Sequence, residues 1–347
     1  MTITSRRQLL REWAAAHPRP LPWKGIDNPY FIWLSEIMLQ QTRVEQGLPY
    51  YEKFIRLWPT ITDLARASQD DLFKAWEGLG YYSRARNLHA AAQTVAEQYG
   101  GIFPEQYEQI RALKGVGDYT AAAIASFAFG LPYSVLDGNV FRVLARWYGI
   151  HTPLDTPEGR RQFSALAQEL LDPAAPGAHN QAMMDFGATW CTPRQPKCAD
   201  CPFQSDCVAY EKDIVVELPV KSKKASKKER FFVYFVFKHK GRTYLRRRND
   251  KDIWQHLYEF PGVETARLPI DTEEASGMGG LPRFAHARLS GIFRQTLTHR
   301  LVAAVFLLIE TDEDVSEWTR DCVAVPWSPG QLPVAVPRII DQFWKAR

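Results

Sequence analysis

The 347-residue sequence predicts a multidomain protein in which an all-α domain precedes a smaller α+β domain. Up to Cys207, apolar residues recur at three- and four-residue spacing between Pro and Gly, as they do in helices that pack on one face. A basic segment, Lys221–Arg230, follows, and after it come apolar runs rich in β-branched and aromatic residues, such as Phe231–Phe237. We therefore expect a helical domain at residues 1–212, a basic linker at 213–230 and an α+β domain at 231–347.

The helical half contains recognisable helix starts. Ser68 stands three residues before Asp71, and Thr156 precedes Pro157, so each pair has the spacing of a helix cap. The first segment, Met1–Trp13, carries arginines but no apolar core of a signal peptide, and it predicts an amphipathic helix. The longest apolar run, Leu301–Ile309, suits a buried strand and is too short to span a membrane. We expect a cytoplasmic protein with no signal peptide and no membrane partner.

The overall charge gives only a weak indication of the partner. The net charge is +4, but residues 1–210 contain 20 Lys and Arg against 21 Asp and Glu. A surface that binds an anionic polymer must therefore be local. The segment Lys221–Arg230 is typical of a solvated linker, and contact with a nucleic-acid backbone is the alternative.

Four cysteines are closely spaced, in the pattern C-x6-C-x2-C-x5-C: Cys191, Cys198, Cys201 and Cys207. Four such thiolates can surround one tetrahedral or cuboidal metal centre. Two disulfides fit poorly, because the fifth cysteine, Cys322, is remote and no secretory leader is evident. A zinc site is a stronger alternative than disulfides, but zinc ribbons usually have two CxxC knuckles and this loop has one. The spacing resembles the iron–sulfur loop of the endonuclease III family.

The segment L-K-G-V-G-D-Y-T-A, residues 113–121, joins two predicted helices. Gly115 and Gly117 permit a tight turn whose backbone amides point outward together at the start of the second helix. Such a turn can hold a phosphate without reading sequence, and an ordinary glycine-rich connection is the alternative. Asp118 is unfavourable beside a phosphate, and we expect it to cap the helix instead.

Two carboxylates are candidates for acid–base chemistry. Asp137 directly precedes an amphipathic helix, where amides and the helix dipole favour its anion; a simple Asp-Gly cap is the alternative. Glu36 lies in a segment that is apolar nearly all round, so burial should raise its pKa; a surface Glu beside Ser35 is the alternative. We expect the two pKa values to shift apart. Such a pair suits cleavage of an N-glycosidic bond.

Four motifs precede the cysteines: W-L-S-E-I-M-L-Q-Q-T, G-L-G-Y-Y-S-R-A-R-N-L, L-K-G-V-G-x-Y-T-A and L-D-G-N-V-x-R-V-L-A-R. Together with the cysteines they resemble the MutY-type adenine DNA glycosylases of the helix-hairpin-helix superfamily of endonuclease III, over nearly all of the first 207 residues. The resemblance implies a base excision repair enzyme that flips out and hydrolyses adenine mispaired with 8-oxoguanine or guanine in double-stranded DNA. Tyr119 stands where bifunctional relatives carry a Schiff-base lysine, which implies a monofunctional enzyme.

The resemblance also assigns site residues. It implies four catalytic residues: Glu36, Asp137, Asn139 and Tyr119. It implies an adenine pocket lined by Arg19, Leu21, Trp23 and Asp185. It implies DNA contacts at Gln41, Tyr81, Gly115, Gly117, Thr298 and His299. It implies that Cys191, Cys198, Cys201 and Cys207 hold a [4Fe-4S] cluster.

The second domain resembles the Nudix-like domain that reads 8-oxoguanine in this family. A catalytic Nudix box needs a Glu six residues after its glycine, but Leu268 follows Gly262 at that spacing, so nucleotide hydrolysis is not expected. The family's Phe-Ser-His reading loop corresponds to Leu297-Thr298-His299. We expect a monomer that associates with the nucleoid when on DNA. The alternatives are a bifunctional glycosylase for pyrimidine lesions, and a cluster-dependent DNA-binding or redox-sensing protein without catalysis.

Overall fold

The computed structural model describes residues 1–222 and 226–347. These form two compact units, one made of Met1–Ala67 with Arg86–Lys224 and the other of Ser68–Ala85 with Ala225–Arg347. A short segment from the middle of the helical sequence thus packs with the strand-rich part. The expected boundaries at residues 212 and 230 remain a prediction, and the linker residues 223–225 lie outside the described residues.

The helices follow the capping signals in the sequence. Thr156 accepts a hydrogen bond from the Gly159 amide at 3.1 Å, and Ser68 accepts one from the Asp71 amide at 3.1 Å, so both expected caps are confirmed. The helices are α1 (Ile3–Ala16), α2 (Pro29–Leu39), α3 (Val44–Leu57), α4 (Ile61–Arg66), α5 (Gln69–Trp76), α6 (Tyr82–Gln98), α7 (Tyr107–Ala112), α8 (Asp118–Phe129), α9 (Gly138–Tyr148), α10 (Pro157–Leu170), α11 (Pro176–Thr189), a 3₁₀ turn (Gln204–Asp206), α12 (Val208–Glu211), α13 (Thr272–Met278), α14 (Ser316–Thr319) and α15 (Arg338–Lys345).

One apolar core joins α1, α9, α10, α11 and the cysteine loop in the first unit. Val143 and Leu144 of α9 are fully buried, as are Phe163 of α10 and Phe186 of α11. Asp137 is the N-cap residue of α9, so the core that holds this helix also fixes the position of that carboxylate. Within the described ranges 1–222 and 226–347, no helix is long and apolar enough to cross a membrane.

The second unit contains two sheets. Its strands are β1 (Lys228–Lys238), β2 (Arg242–Arg247), β3 (Tyr258–Glu259), β4 (Gly262–Thr265), β5 (Ala287–Leu289), β6 (Phe293–Thr296), β7 (Arg300–Glu310) and β8 (Cys322–Pro326). One sheet has the order β4-β1-β7-β5 with β6 also on β7, and the other has the order β3-β2-β8. The long strands β1 and β7 are parallel, and the remaining pairs are antiparallel.

Strand β1 is buried on both faces, which explains its unbroken apolar sequence. Phe232, Tyr234 and Val236 belong to one apolar core, which α15 covers. The alternate residues, including Val233 and Phe235, belong to a second core on the other side of the sheet. The expected α+β character of this part of the chain is confirmed.

Candidate active site

A cavity of about 900 Å³ in the first unit collects the expected catalytic and pocket residues. Helix α2 supplies Glu36, α8 supplies Tyr119, and the start of α9 supplies Asp137 and Asn139. Helix α11 contributes Asp185. The segment between α1 and α2 completes the lining with Arg19, Leu21 and Trp23.

Glu36 is buried, with 7% of its surface exposed. Burial raises the pKa of Glu36 to about 7, and the nearby charge of Asp137 adds to that effect. A hydrogen bond from the Tyr119 hydroxyl opposes it in part. Glu36 therefore has the pKa of a group that can deliver a proton near neutral pH.

Asp137 caps α9. Its Oδ1 accepts hydrogen bonds from the amides of Asn139 and Val140 at 2.9 and 2.7 Å, and its Oδ2 accepts one from the Asn139 side chain at 2.7 Å. These bonds lower the pKa of Asp137, as the cap predicts, but the expected net stabilisation of its anion was wrong, because burial outweighs them and raises the pKa. What distinguishes Asp137 from Glu36 is the set of amide donors that face its carboxylate.

Arg142 links Asn139 to the cysteine loop, and the sequence reasoning gave it no role. Its guanidinium donates to the Asn139 Oδ1 at 2.8 Å and to the Gly187 carbonyl at 2.6 Å. Its Nε donates to the Cys191 carbonyl at 2.8 Å. The only signal in the sequence was an arginine on the apolar face of α9.

The polar end of the cavity is built around Asp185, which is 8% exposed. Asp185 accepts a hydrogen bond from Arg19 at 3.2 Å and one from Lys24 at 2.5 Å. Lys24 also donates to the Arg19 carbonyl at 2.9 Å, and burial lowers its pKa although Asp185 opposes that shift. Lys24 lines the cavity but was missed, although it directly follows Trp23 in the sequence.

The glycine turn between α7 and α8 has the expected form. Gly115 has φ +81°, and a Cβ there would lie 2.6 Å from the Asn87 Cβ, so a side chain does not fit. Gly117 is the N-cap of α8 and has no side chain to occupy the first amides of the helix. The expected cap by Asp118 was wrong: Asp118 is already inside α8 and pairs with Arg111, which counters its charge.

The other expected DNA contacts lie outside the cavity. Gln41 follows α2 at φ +57° and is exposed. Tyr81 has φ +51° and is 44% exposed, and it belongs to the second unit together with Thr298 and His299. Thr298 and His299 form the turn between β6 and β7.

The four clustered thiols line a second, largely apolar cavity with Trp147, Phe186 and Trp190. No three His, Cys, Asp or Glu side chains within 1–222 and 226–347 are arranged to hold a single metal ion. In a cuboidal cluster each cysteine thiolate binds a different iron. The four cysteine sulfurs therefore stand farther apart than they do around one zinc ion. Buried Arg146 donates an N–H to the Cys191 Sγ at 3.3 Å. This donor set fits a cuboidal cluster.

This chain is similar to several known proteins. Residues 34–171 match the family model described as "HhH-GPD superfamily base excision DNA repair protein". The chain is 37% identical to the adenine DNA glycosylase of Buchnera aphidicola from Acyrthosiphon pisum over 73% of each chain. It is 44% identical to that of Homo sapiens, over 60% of this chain and 40% of the human one. Among solved structures, a thermostable thymine-DNA glycosylase matches with a TM-score of 0.57 and 29% identity, over 60% of this chain and 97% of that one.

Proposed function

The chain belongs to the adenine DNA glycosylases of the HhH-GPD superfamily, and from that premise we propose that it hydrolyses adenine from pairs with 8-oxoguanine or guanine. The observation that carries the proposed chemistry is Glu36, a carboxylic acid buried in the cavity wall with a pKa of about 7. Asp137 lines the same cavity, and its carboxylate accepts hydrogen bonds from two backbone amides.

In the proposed reaction, Glu36 donates its proton to the adenine as the bond between the base nitrogen and the sugar breaks. The bonding electron pair leaves with the base, and the positive charge that develops on the sugar is stabilised by Asp137, electrostatically or as a transient covalent adduct. Water then adds its hydroxide to the sugar, and its proton passes to a carboxylate. Asn139 keeps Asp137 oriented through the hydrogen bond at 2.7 Å.

The pocket residues would hold the extruded adenine. Leu21 and Trp23 offer apolar surface, and the Trp23 ring is itself fixed edge-on against Tyr51 at 5.2 Å. Asp185, with Arg19 and Lys24, supplies polar groups at one end. We assign this end to the hydrogen-bonding edge of the base.

The DNA would be held without reading its sequence. Gly117 caps α8 without a side-chain hydrogen bond to the first amides of the helix, and these amides suit a backbone phosphate. Gln41 and Tyr81, both in the left-handed region and exposed, suit side chains that enter the base stack as adenine leaves it.

We assign a four-iron cluster to Cys191, Cys198, Cys201 and Cys207. The four thiols line one largely apolar cavity, and their loop has a single CxxC where zinc ribbons usually have two, which supports this cluster over zinc. When bound, the cluster would order the loop that follows α11, and the hydrogen bond from Arg142 to the Cys191 carbonyl connects that loop to Asn139. We give it no step in base removal.

The strand-rich unit would read the base opposite adenine. Thr298 and His299 occupy an exposed turn between two paired strands, which suits insertion against a base. A Nudix-like fold is proposed for this unit, and the absence of the required Glu after Gly262 argues against nucleotide hydrolysis. We further propose that the protein acts as a monomer, in the cytoplasm and on the nucleoid.

The test is single-turnover cleavage of duplexes that carry A:8-oxoguanine, A:G, A:T or thymine glycol, each with and without later alkali. Adenine release from the two mispairs, with strand breaks only after alkali, is the expected result. Strand breaks without alkali, or cleavage at thymine glycol, would instead support a bifunctional enzyme despite Tyr119.

A further inference from the structure

Tyr81 is held in a backbone conformation that a side chain rarely adopts. It lies at φ +51°, after Gly78 at φ +96° and Gly80 at φ +77°. A left-handed residue with a Cβ persists only where its surroundings impose that conformation. The contacts around Tyr81 should therefore show what sets its position.

One set of contacts lies beneath the turn. The Arg84 guanidinium is buried, donates to the carbonyls of Leu79 and Gly80 at 3.3 and 3.2 Å, and lies 5.4 Å from the centre of the Tyr81 ring. The Trp76 indole donates to the same Gly80 carbonyl at 2.9 Å. These contacts fix the backbone of the turn and one face of the ring.

A second contact reaches the exposed end of the ring. The Thr298 hydroxyl donates to the Tyr81 hydroxyl at 3.3 Å, longer than a typical bond between two hydroxyl groups and therefore weak. Thr298 is itself held, because the Leu297 amide donates to the Arg300 carbonyl at 2.9 Å and Lys227 donates to the Leu297 carbonyl at 2.9 Å. The held backbone of the turn between β6 and β7 thus places the Thr298 hydroxyl beside that of Tyr81.

The helix before Tyr81 is also attached to the strand-rich residues. Lys74 of α5 donates to the Leu332 carbonyl at 2.8 Å, and Glu77 accepts from the Val336 amide at 3.4 Å. Arg247 of β2 donates to Gln69, at the start of α5, at 2.6 Å. The segment 68–85 and the β6–β7 turn therefore belong to one body.

We propose that Thr298 is a positioning residue for Tyr81, so that the strand-rich unit takes part in extruding adenine as well as in reading the opposite base. This inference rests on the proposed function, which assigns Tyr81 to the base stack and Thr298 to the opposite base. An A:G pair distinguishes the two roles of Thr298, positioning Tyr81 and recognising 8-oxoguanine. Guanine lacks the oxygen at position 8, so only the positioning role can act on that pair.

The experiment measures extrusion by stopped-flow fluorescence of 2-aminopurine placed next to the mispaired adenine, with the full-length enzyme in excess. Thr298→Val and Tyr81→Phe each remove one hydroxyl of the pair. We expect each to slow extrusion from A:G about threefold, in line with one weak hydrogen bond, and the double variant to be no slower than either single one. Thr296→Val is the matched control, because Thr296 is exposed on β6 and adjoins the same turn.

Two results would overturn the inference. Unchanged A:G extrusion in Thr298→Val would show that Thr298 does not position Tyr81; if discrimination of 8-oxoguanine from guanine falls at the same time, the proposed reading function stands alone. Fully additive effects in the double variant would show that the two hydroxyls act independently. Slower A:G extrusion with intact discrimination supports the inference and counts against Thr298 as a reader. Thermal unfolding of all variants checks that each is folded.

Discussion

The Asn139 amide oxygen accepts a hydrogen bond of 2.8 Å from Arg142, and this bond determines which way the Asn139 side chain faces. Because Arg142 can only donate, the amide nitrogen of Asn139 must point toward Asp137, where it donates at 2.7 Å. The carboxylate that faces the cavity is thus oriented by an arginine that does not line it.

Gly187→Ala tests this arrangement without removing any of its polar groups. A Cβ at Gly187 would lie 2.6 Å from the Asn139 Cβ and 2.9 Å from its carbonyl oxygen, so α11 and α9 would have to separate. We expect the single-turnover rate to fall roughly tenfold or more, with a loss of about 1–3 kcal/mol in stability. The matched control is Gly277→Ala in α13, where an added Cβ meets no atom within 4 Å. Equal rates in the two variants would contradict the role given to this close approach.

Glu36→Gln should abolish adenine release while leaving mispair binding largely intact, because glutamine keeps the shape but has no acidic proton to donate. In the unmodified protein the acid form of Glu36 is lost as pH rises through about 7, so the single-turnover rate should fall above that pH. The measurement is the rate against pH, with Glu52→Gln on the exposed side of α3 as control. A rate that stays flat from pH 6 to 9 would rule out Glu36 as the proton donor.

The same substitution should stabilise the fold at alkaline pH. The pKa of Glu36 in the folded protein, about 7, is above its ordinary value of 4.5. Its contribution to the free energy of unfolding is therefore fully present below pH 4.5 and is lost as pH rises to about 7. At pH 8, Glu36→Gln should therefore raise the free energy of unfolding, by at most about 3 kcal/mol. At pH 4.5 the gain should largely vanish. Denaturant unfolding at both pH values measures the difference, and a gain of equal size at both would be inconsistent with a titrating Glu36.

Tyr119→Phe should move the pH profile. The hydrogen bond from Tyr119 lowers the pKa of Glu36, so its removal should raise that pKa and shift the falling limb of the rate profile to higher pH. Tyr99→Phe is a suitable control, because Tyr99 does not line the cavity. A limb that moves to lower pH would mean that Tyr119 does not favour the ionised form of Glu36.

The purified protein should be brown and contain about four iron atoms per chain. Iron and sulfide analysis tests this directly, and zinc in place of iron would end the proposed assignment. Cys198→Ser should weaken DNA binding or folding before it alters the chemistry of base removal, because a metal loop orders its local backbone. Cys322→Ser, in β8 of the second unit, is the control and should leave the iron content unchanged.

The sequence by itself determined the features that depend on local spacing. The caps at Ser68, Thr156 and Asp137, the glycine turn and the strand β1 all follow from residue types at fixed separations. The burial of Glu36 followed in the same way, because an apolar run on all sides of a helix leaves no exposed face. The close spacing of the cysteines likewise identified the loop to which we assign the cluster.

Only the tertiary structure decided what depends on residues distant in sequence. The partners of Asp185 lie more than 160 positions away, at Arg19 and Lys24. The pKa of Asp137 rises because the degree of burial outweighs the local cap, and burial at that point is a property of the packed helices. The sequence predicts residues 68–85 as part of the helical domain. In the structure, contacts with Leu332, Val336 and Arg247 place this segment in the strand-rich unit. Local spacing specifies a helix, but long-range packing specifies which body the helix joins.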